Sequence, residues 1–139
     1  MTAHLVESVK VVRAKAHEAA NTTGVESDIV DTEGFDGVMF LTTFGTGAAN
    51  NTLKAQSSLI NDSGGMADIT GVASGSTLNK NEVMLDVHRP PRRYVRVVAA
   101  RGTSSTLETI YALLYRARDL PTTQAATAVV VKKVDPESA

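Results

Sequence analysis

The residues of this sequence that could carry chemistry are few, and a glycine-rich turn is the first of them. Gly45–Ala49 follows an apolar run, as the phosphate-binding turn of a dinucleotide site would. Asn50 stands at the third glycine position, however, and residues 51–58 alternate between apolar and polar types as a strand does. Because no helix N-terminus would follow to hold phosphate groups, the segment predicts a hairpin turn and no bound cofactor.

A second candidate is an acidic cluster around Gly34, formed by Asp28, Asp31, Glu33 and Asp36. Calcium takes carboxylate oxygens as ligands, and a glycine between them allows a sharp turn. The spacing does not follow that of an EF-hand loop. We predict a solvated turn here, and calcium binding is the alternative.

Histidine, serine and aspartate supply the remaining catalytic possibilities. His4, His17 and His88 form neither an HxH nor an HxxxH pair for zinc, and the chain has no cysteine. Asp86 and His88 would share one face of a strand, so a triad with one of the many serines stays open at this point. No segment has the pattern of a nucleophile elbow. We therefore expect no catalytic residue, no metal site and no enzymatic activity.

The densest basic stretch surrounds Pro90-Pro91 and contains Arg89, Arg92, Arg93 and Arg96. It could contact phosphates or an acidic surface of a partner protein, or it could protect a sheet edge from pairing. Tyr94 is the one aromatic residue in the stretch, so the pattern is not that of a single-strand nucleic-acid groove. Arg89, Arg92 and Arg93 are our candidate partner-interface residues.

Composition narrows the class of protein. The chain has 139 residues, 42% of them hydrophobic and 4% aromatic, with 14 basic and 15 acidic residues and a net charge of -1. That balance argues against a dedicated nucleic-acid binder or a polybasic membrane anchor. No apolar run approaches the roughly 18 residues of a membrane span, and the N-terminus lacks the regions of a signal peptide. We expect a protein made in the cytoplasm.

Short apolar segments separated by Gly, Asn, Asp and Pro turns predict seven to nine strands. This pattern is typical of an all-β fold, an antiparallel β-sandwich or jelly roll. The predicted strands are Leu5–Arg13, Ile29–Val30, Gly37–Phe44, Thr52–Ser58, Ala67–Val72, Val83–Val87, Tyr94–Ala100 and Thr106–Tyr115, with a further β-prone run at 129–131. For the first of these a helix is the alternative, and an Ala-rich connection is expected after it. A helix is also possible over 106–115.

Alternation within the clearest strands predicts the core. We expect it to be formed by Val38, Phe40, Leu53, Leu85, Val95 and Val97. In Thr106–Tyr115 the same alternation would put Leu107, Thr109, Tyr111, Leu113 and Tyr115 on one side. We expect a single domain with its core at about residues 5–121 and a C-terminal arm at about 122–139.

Three phrases of the sequence resemble small head proteins of tailed bacteriophages. They lie at 30–40, 85–97 and 112–127, in the order and spacing of that family, with Phe35 where the family pattern has tyrosine. The resemblance implies a virion structural protein, a capsid decoration or cement protein that binds the major capsid protein shell, often as a trimer. A head-tail connector or tail component is the alternative that it implies. A carbohydrate-binding β-sandwich is a third possibility, although the chain has few aromatic residues.

The C-terminal segment adds to the expected partner contacts. It follows Pro121 and is rich in β-branched residues, which predicts an arm that pairs with the sheet edge of another chain. Gln124, Thr127, Val129 and Val131 are therefore further interface candidates. The protein is expected to be a homo-oligomer in the phage head, with no membrane contact and no direct contact with nucleic acid.

Overall fold

Eleven strands and two short helical turns make up the part of the chain that the computed structural model describes, residues 4–45, 51–74, 82–102, 104–125 and 128. The elements are α1 Leu5–Ser8, β1 Lys10–Lys15, β2 Glu18–Asn21, β3 Val25–Glu26, β4 Val30–Asp31, β5 Gly37–Thr43, β6 Thr52–Ser58, a 3-10 turn at Ser63–Gly65, β7 Ala67–Ser74, β8 Glu82–His88, β9 Tyr94–Ala100, β10 Ser105–Leu107 and β11 Ile110–Tyr115.

The strands form antiparallel sheets that pack together. One sheet has four strands in the order β1-β11-β5-β8. The second runs β7-β6-β9, and both β3 and β4 pair with the free side of β9. A two-stranded ribbon of β2 and β10 completes the described structure. The described residues are nearly all in strands and their connections, with little helix, which confirms the predicted all-β sandwich class.

A single cluster of buried apolar side chains lies between the sheets. Val38, Phe40, Leu53, Val95 and Val97 are fully buried in it, as predicted from the alternation of their strands. The sixth predicted residue, Leu85, packs against this core but is only partly buried.

The N-terminal segment differs from the predicted strand. Leu5–Ser8 is one helical turn, closed by a bond from the His4 backbone N–H to the Glu7 carboxylate at 2.9 Å. Strand β1 then runs to Lys15, two residues beyond the predicted end. The expected Ala-rich connection contains strand β2, which β10 pairs with.

The prediction of one strand over Thr106–Tyr115 is wrong. The chain leaves the ribbon after Leu107 and joins the four-stranded sheet at Ile110, so the buried positions shift from odd to even numbers. At this crossing the Glu108 N–H donates to the Thr43 carbonyl. Ile110, Ala112 and Leu114 are therefore buried, whereas Tyr111, Leu113 and Tyr115 lie on the outer face.

Candidate interaction surface

The three segments that carry the sequence resemblance meet around one open cleft of about 530 Å³. Backbone bonds hold them together at that end of the domain. The Arg89 N–H donates to the Asp36 carbonyl at 2.8 Å, and the Arg118 N–H donates to the Gly34 carbonyl at 2.9 Å. The Asp36 N–H in turn donates to the Tyr115 carbonyl at 3.1 Å. We call this site the arginine cleft, lined by Thr32–Asp36, Arg89–Arg93 and Arg118.

The local sequence explains why the chain turns here. Gly34 has a φ of 88° and Arg89 a φ of 51°, both in the left-handed region where a chain reverses. Pro90-Pro91 follows, and because proline has no N–H, strand β8 cannot continue its ladder. The loop therefore leaves the sheet at His88 and carries its arginines to the rim of the cleft.

Arg93 is used within the protein. Its guanidinium donates from Nε to Asp31 Oδ1 and from Nη2 to Asp31 Oδ2, each at 2.8 Å, and Nη2 lies 2.6 Å from Glu33 Oε2. The same group lies 5.0 Å from the centroid of the Tyr94 ring. The hydrogen bonds from Arg93 hold the pKa of Asp31 below its ordinary value, against the opposing effect of burial. Arg93 thus holds the loop against the acidic turn, and its guanidinium is already paired with Asp31 and Glu33.

Three other arginines of the cleft have exposed side chains that could contact a partner. Arg89 and Arg92 are exposed, and they form no ion pair with any residue that the structure describes. Arg118 lies 3.8 Å from Asp36 Oδ1 with its side chain 68% exposed, so it too can turn toward a ligand. The sequence analysis did not identify Arg118 as a residue of this cleft, because only the pairing of β11 with β5 brings it there.

Arg96, the fourth arginine of the basic stretch, makes its contacts within the second sheet. It lies on β9 as predicted, but its side chain is covered, because Nε donates to Gln56 Oε1 at 2.9 Å and Nη1 donates to Glu26 Oε2 at 3.0 Å. These bonds join three strands of the second sheet. Arg96 is therefore a structural residue and does not reach the arginine cleft.

Three of the four carboxylates of the predicted acidic cluster have an arginine beside them, and the fourth, Asp28, is exposed. Asp31 and Glu33 contact Arg93, and Asp36 lies near Arg118, so each of these three carboxylates has a cation beside it. Among the described residues no group of three or more His, Cys, Asp or Glu side chains could hold a metal ion. The arrangement favours the solvated turn over calcium binding.

Asp86, His88 and Tyr115 form a polar network on the outer face of the four-stranded sheet. The Tyr115 hydroxyl donates to Asp86 Oδ1 at 2.7 Å and lies 3.3 Å from His88 Nδ1, with the two rings parallel. Burial and the bond to Asp86 raise the pKa of Tyr115 to about 12, so the phenol stays protonated at neutral pH. A side chain at Gly37 would collide with the Tyr115 ring. The Tyr115 hydroxyl thus lies between Asp86 and His88, whereas a triad requires the carboxylate to bond the imidazole directly.

The glycine-rich turn is followed by a strand. Residues 46–50 lie outside the described part of the chain, but β6 begins at Thr52 and pairs with both β7 and β9. The predicted strand is confirmed, and the helix that a dinucleotide site requires does not follow the turn.

Gln124 holds the start of the C-terminal segment against the domain's own N-terminal region. Its Nε2 donates to the carbonyls of Val6 and Val9, and its Oε1 accepts from the Val11 N–H at 2.9 Å. The Thr122 N–H donates to the Glu7 carbonyl at 2.7 Å. The first residues of the predicted arm therefore cover the free edge of β1. Three other predicted interface residues, Thr127, Val129 and Val131, lie outside the described residues.

Comparison with known proteins gives no match. No protein-family model, no curated protein and no solved structure is significantly similar to this chain. Within the described residues, no helix is long and apolar enough to cross a membrane. A functional interpretation therefore depends on the geometry above and on the phrases that meet at the cleft.

Proposed function

We propose that this protein is a structural protein of a tailed-phage head, a decoration protein that binds the major capsid protein shell through the arginine cleft. One observation carries the proposal. The three phrases that resemble phage head proteins are far apart in sequence, yet they form one surface around Arg89, Arg92 and Arg118. Residues of a shared binding surface are expected to converge in this way.

The chemistry of the cleft favours a protein partner with exposed carboxylates. A guanidinium offers a planar set of donors that matches a carboxylate in two parallel hydrogen bonds. Glu33 and Asp36 lie in the same cleft and would repel a continuous row of phosphates. A mixed surface of this kind suits an acidic patch on a shell protein better than the backbone of DNA.

The proposal includes location and assembly. The protein is made in the host cytoplasm and resides in the virion, where it occurs as a homo-oligomer, a trimer at threefold positions of the shell. A sheet sandwich without cysteines suits this role, because its stability does not depend on the redox state of either compartment.

Binding to purified heads that lack the protein tests the proposal. We expect Arg89→Glu and Arg92→Glu each to weaken binding about tenfold or more, since a reversed charge at the contact repels the carboxylates it faced. Arg13→Glu is the matched control, because Arg13 is exposed, carries the same charge and lies away from the cleft.

The outcomes separate the parts of the proposal. Failure of the unaltered protein to bind heads would overturn the decoration role. Equal binding by Arg92→Glu and Arg13→Glu would show that the cleft is not the contact. Cryo-EM density at the tail vertex, and none over the shell, would favour the head-tail connector instead.

A further inference from the structure

Strand β8 is a long edge strand with a free side. Among the described residues it pairs with β5 alone, and that pairing runs from Glu82 to His88 without a shift in register. Such an edge can accept a further strand, and proteins usually block it with a bulge, a proline or a covering segment. Neither a bulge nor a proline interrupts β8.

The other edges of the two described sheets are blocked or short. Gln124 bonds to the Val11 N–H and so covers the edge of β1. Strand β7 is bulged between Asp68 and Val72, and β3 and β4 have two residues each. Within the part of the chain that the structure describes, β8 is therefore the edge best suited to pair with another chain.

The backbone groups of alternate residues point to the free side of β8. In an antiparallel pair the hydrogen bonds lie at every second residue, and the Arg89 N–H donates to the Asp36 carbonyl at one such position. By the register of the two strands, the odd-numbered residues of β8 bond to β5. The N–H and C=O groups that point away from β5 belong to Glu82, Met84, Asp86 and His88.

This edge is complementary to a second copy of itself. When two β8 strands pair antiparallel about Leu85, Glu82 lies opposite His88 of the second copy. Met84 then lies opposite Asp86, and by symmetry every pair occurs twice. A slide of two residues in either direction would place Glu82 opposite Asp86 or Asp86 opposite its own copy. Because like charges directly opposite each other are destabilising, the register about Leu85 is favoured.

The outward side chains suit this register. Glu82 and His88 are both exposed. The Nδ1 atom of His88 lies 3.3 Å from the Tyr115 hydroxyl, so Nε2 is the ring nitrogen that remains to meet a carboxylate. A pair between Glu82 of one copy and His88 of the other would therefore leave the contact with Tyr115 in place.

The inward side chains suit it as well. Val83 and Val87 are buried in the core, whereas Leu85 between them is only partly buried. In the paired strands Leu85 would lie against Leu85 of the second copy, flanked on each side by a Val83–Val87 pair. The contact would thus cover the inward residue of β8 that the single chain leaves partly exposed.

We propose that two copies of the protein associate through β8, antiparallel and in register about Leu85, so that their four-stranded sheets join into one. The contact is twofold and is therefore distinct from the threefold contact of the proposed shell lattice. It joins two monomers, or two trimers where trimers form. The inference goes beyond the proposed function and does not require a shell.

Disulfide formation between introduced thiols tests the register, because the chain has no cysteine of its own. Residues opposite each other on the twofold axis have Cα atoms about 4.5 Å apart, within the range of about 4.4–6.8 Å that a disulfide spans. Met84 and its copy are diagonal neighbours, about 7–8 Å apart. With oxidised glutathione, we expect Leu85→Cys to form linked pairs about tenfold faster than the control Met84→Cys. Random collisions would give the reverse order, since Met84 is 63% exposed.

A proline on the free side tests the backbone pairing. The Met84 N–H is not used by β5, so Met84→Pro should keep the fold, which circular dichroism checks, and remove a donor from the edge. We expect it to raise the dissociation constant about tenfold or more, since each copy loses one hydrogen bond and the ring obstructs the partner strand. Met84→Thr is the matched control, because it changes the side chain and keeps the N–H.

Light scattering over a dilution series measures this association. The mass at high concentration should be halved by Met84→Pro and unchanged by Met84→Thr. An unaltered protein that stays a monomer, or a single trimer, at every concentration would overturn the contact. Linkage at Met84→Cys as fast as at Leu85→Cys would overturn the register, and this result can be read even if the proline variant unfolds. None of these measurements uses phage heads, so they are independent of the arginine cleft.

Discussion

Replacing Arg101 with methionine should destabilise the protein by about 3 kcal/mol. Arg101 is only 7% exposed, and no carboxylate of the described residues pairs with it. Its guanidinium instead donates to the carbonyls of Thr23 and Ala19, each at 2.7 Å, and of Ser105 at 2.9 Å. These bonds tie the β2–β10 ribbon to the turn before β3. Methionine keeps much of the apolar stem but removes every one of these donors.

The magnitude follows from the surroundings of each carbonyl. Ser105 is fully buried, so water cannot easily replace the lost donor, at a cost of about 1–3 kcal/mol. Ala19 and Thr23 are exposed, so water can compensate in part, and each loss costs about 0.5–1 kcal/mol. For a domain of this size, about 3 kcal/mol corresponds to a decrease of roughly 10 °C in Tm.

Urea unfolding and thermal melts of Arg101→Met, compared with Arg13→Met, measure the effect. Arg13 is exposed, and its replacement should change the free energy of unfolding by less than about 0.5 kcal/mol. Arg101→Lys should recover less than half of the loss, because an ammonium cannot match the planar fork of a guanidinium. If Arg101→Met is as stable as the unaltered protein, or if lysine restores stability fully, the reasoning is refuted.

Two further changes test the core and the arginine cleft. Phe40→Ala should lower the free energy of unfolding by about 3–5 kcal/mol in denaturant melts, since the ring is fully buried at the centre of the four-stranded sheet; a loss below about 1 kcal/mol would contradict its place in the core. Asp31→Asn should cost only about 0.5 kcal/mol at pH 7, because both side chains of the Asp31–Arg93 pair are nearly half exposed and solvent screens them. Since the pKa of Asp31 is lowered on folding, this contribution is complete above the unfolded value of about 3.9 and is lost as the pH falls through the lowered pKa. Unfolding curves of the two proteins should therefore converge in acid, and a gap that widens there would contradict the ion pair.

Strands with strict alternation between two turn signals could be predicted closely. The bounds of β6 at Thr52–Ser58 and of β9 at Tyr94–Ala100 agree with the sequence prediction, as does the buried face of each. In both strands the residues that face the core are apolar or small over the whole length. The pattern therefore indicates which side chains face the core without knowledge of the neighbouring strands, whereas the pairing of β6 with β9 does not follow from it.

Prediction failed where the fold depends on distant contacts. The break at Glu108 shows no Gly or Pro signal; it exists because the chain passes from the ribbon to the four-stranded sheet. The helical turn after His4 lies in a β-prone segment, and besides its capping bond it accepts hydrogen bonds from Thr122 and Gln124, which are more than 100 residues away. Local sequence patterns do not contain such information, since tertiary pairing decides between the alternatives.

The arginine cleft was predictable only in part. Arg89 and Arg92 stand beside Pro90-Pro91, so their place on an exposed loop could be inferred from the loop's own residues. The pairing of Arg93 with Asp31 spans 62 positions and could not. That pairing decides which arginines of the cleft are held by internal ion pairs, and the place of Arg118 at the cleft likewise depends on distant contacts.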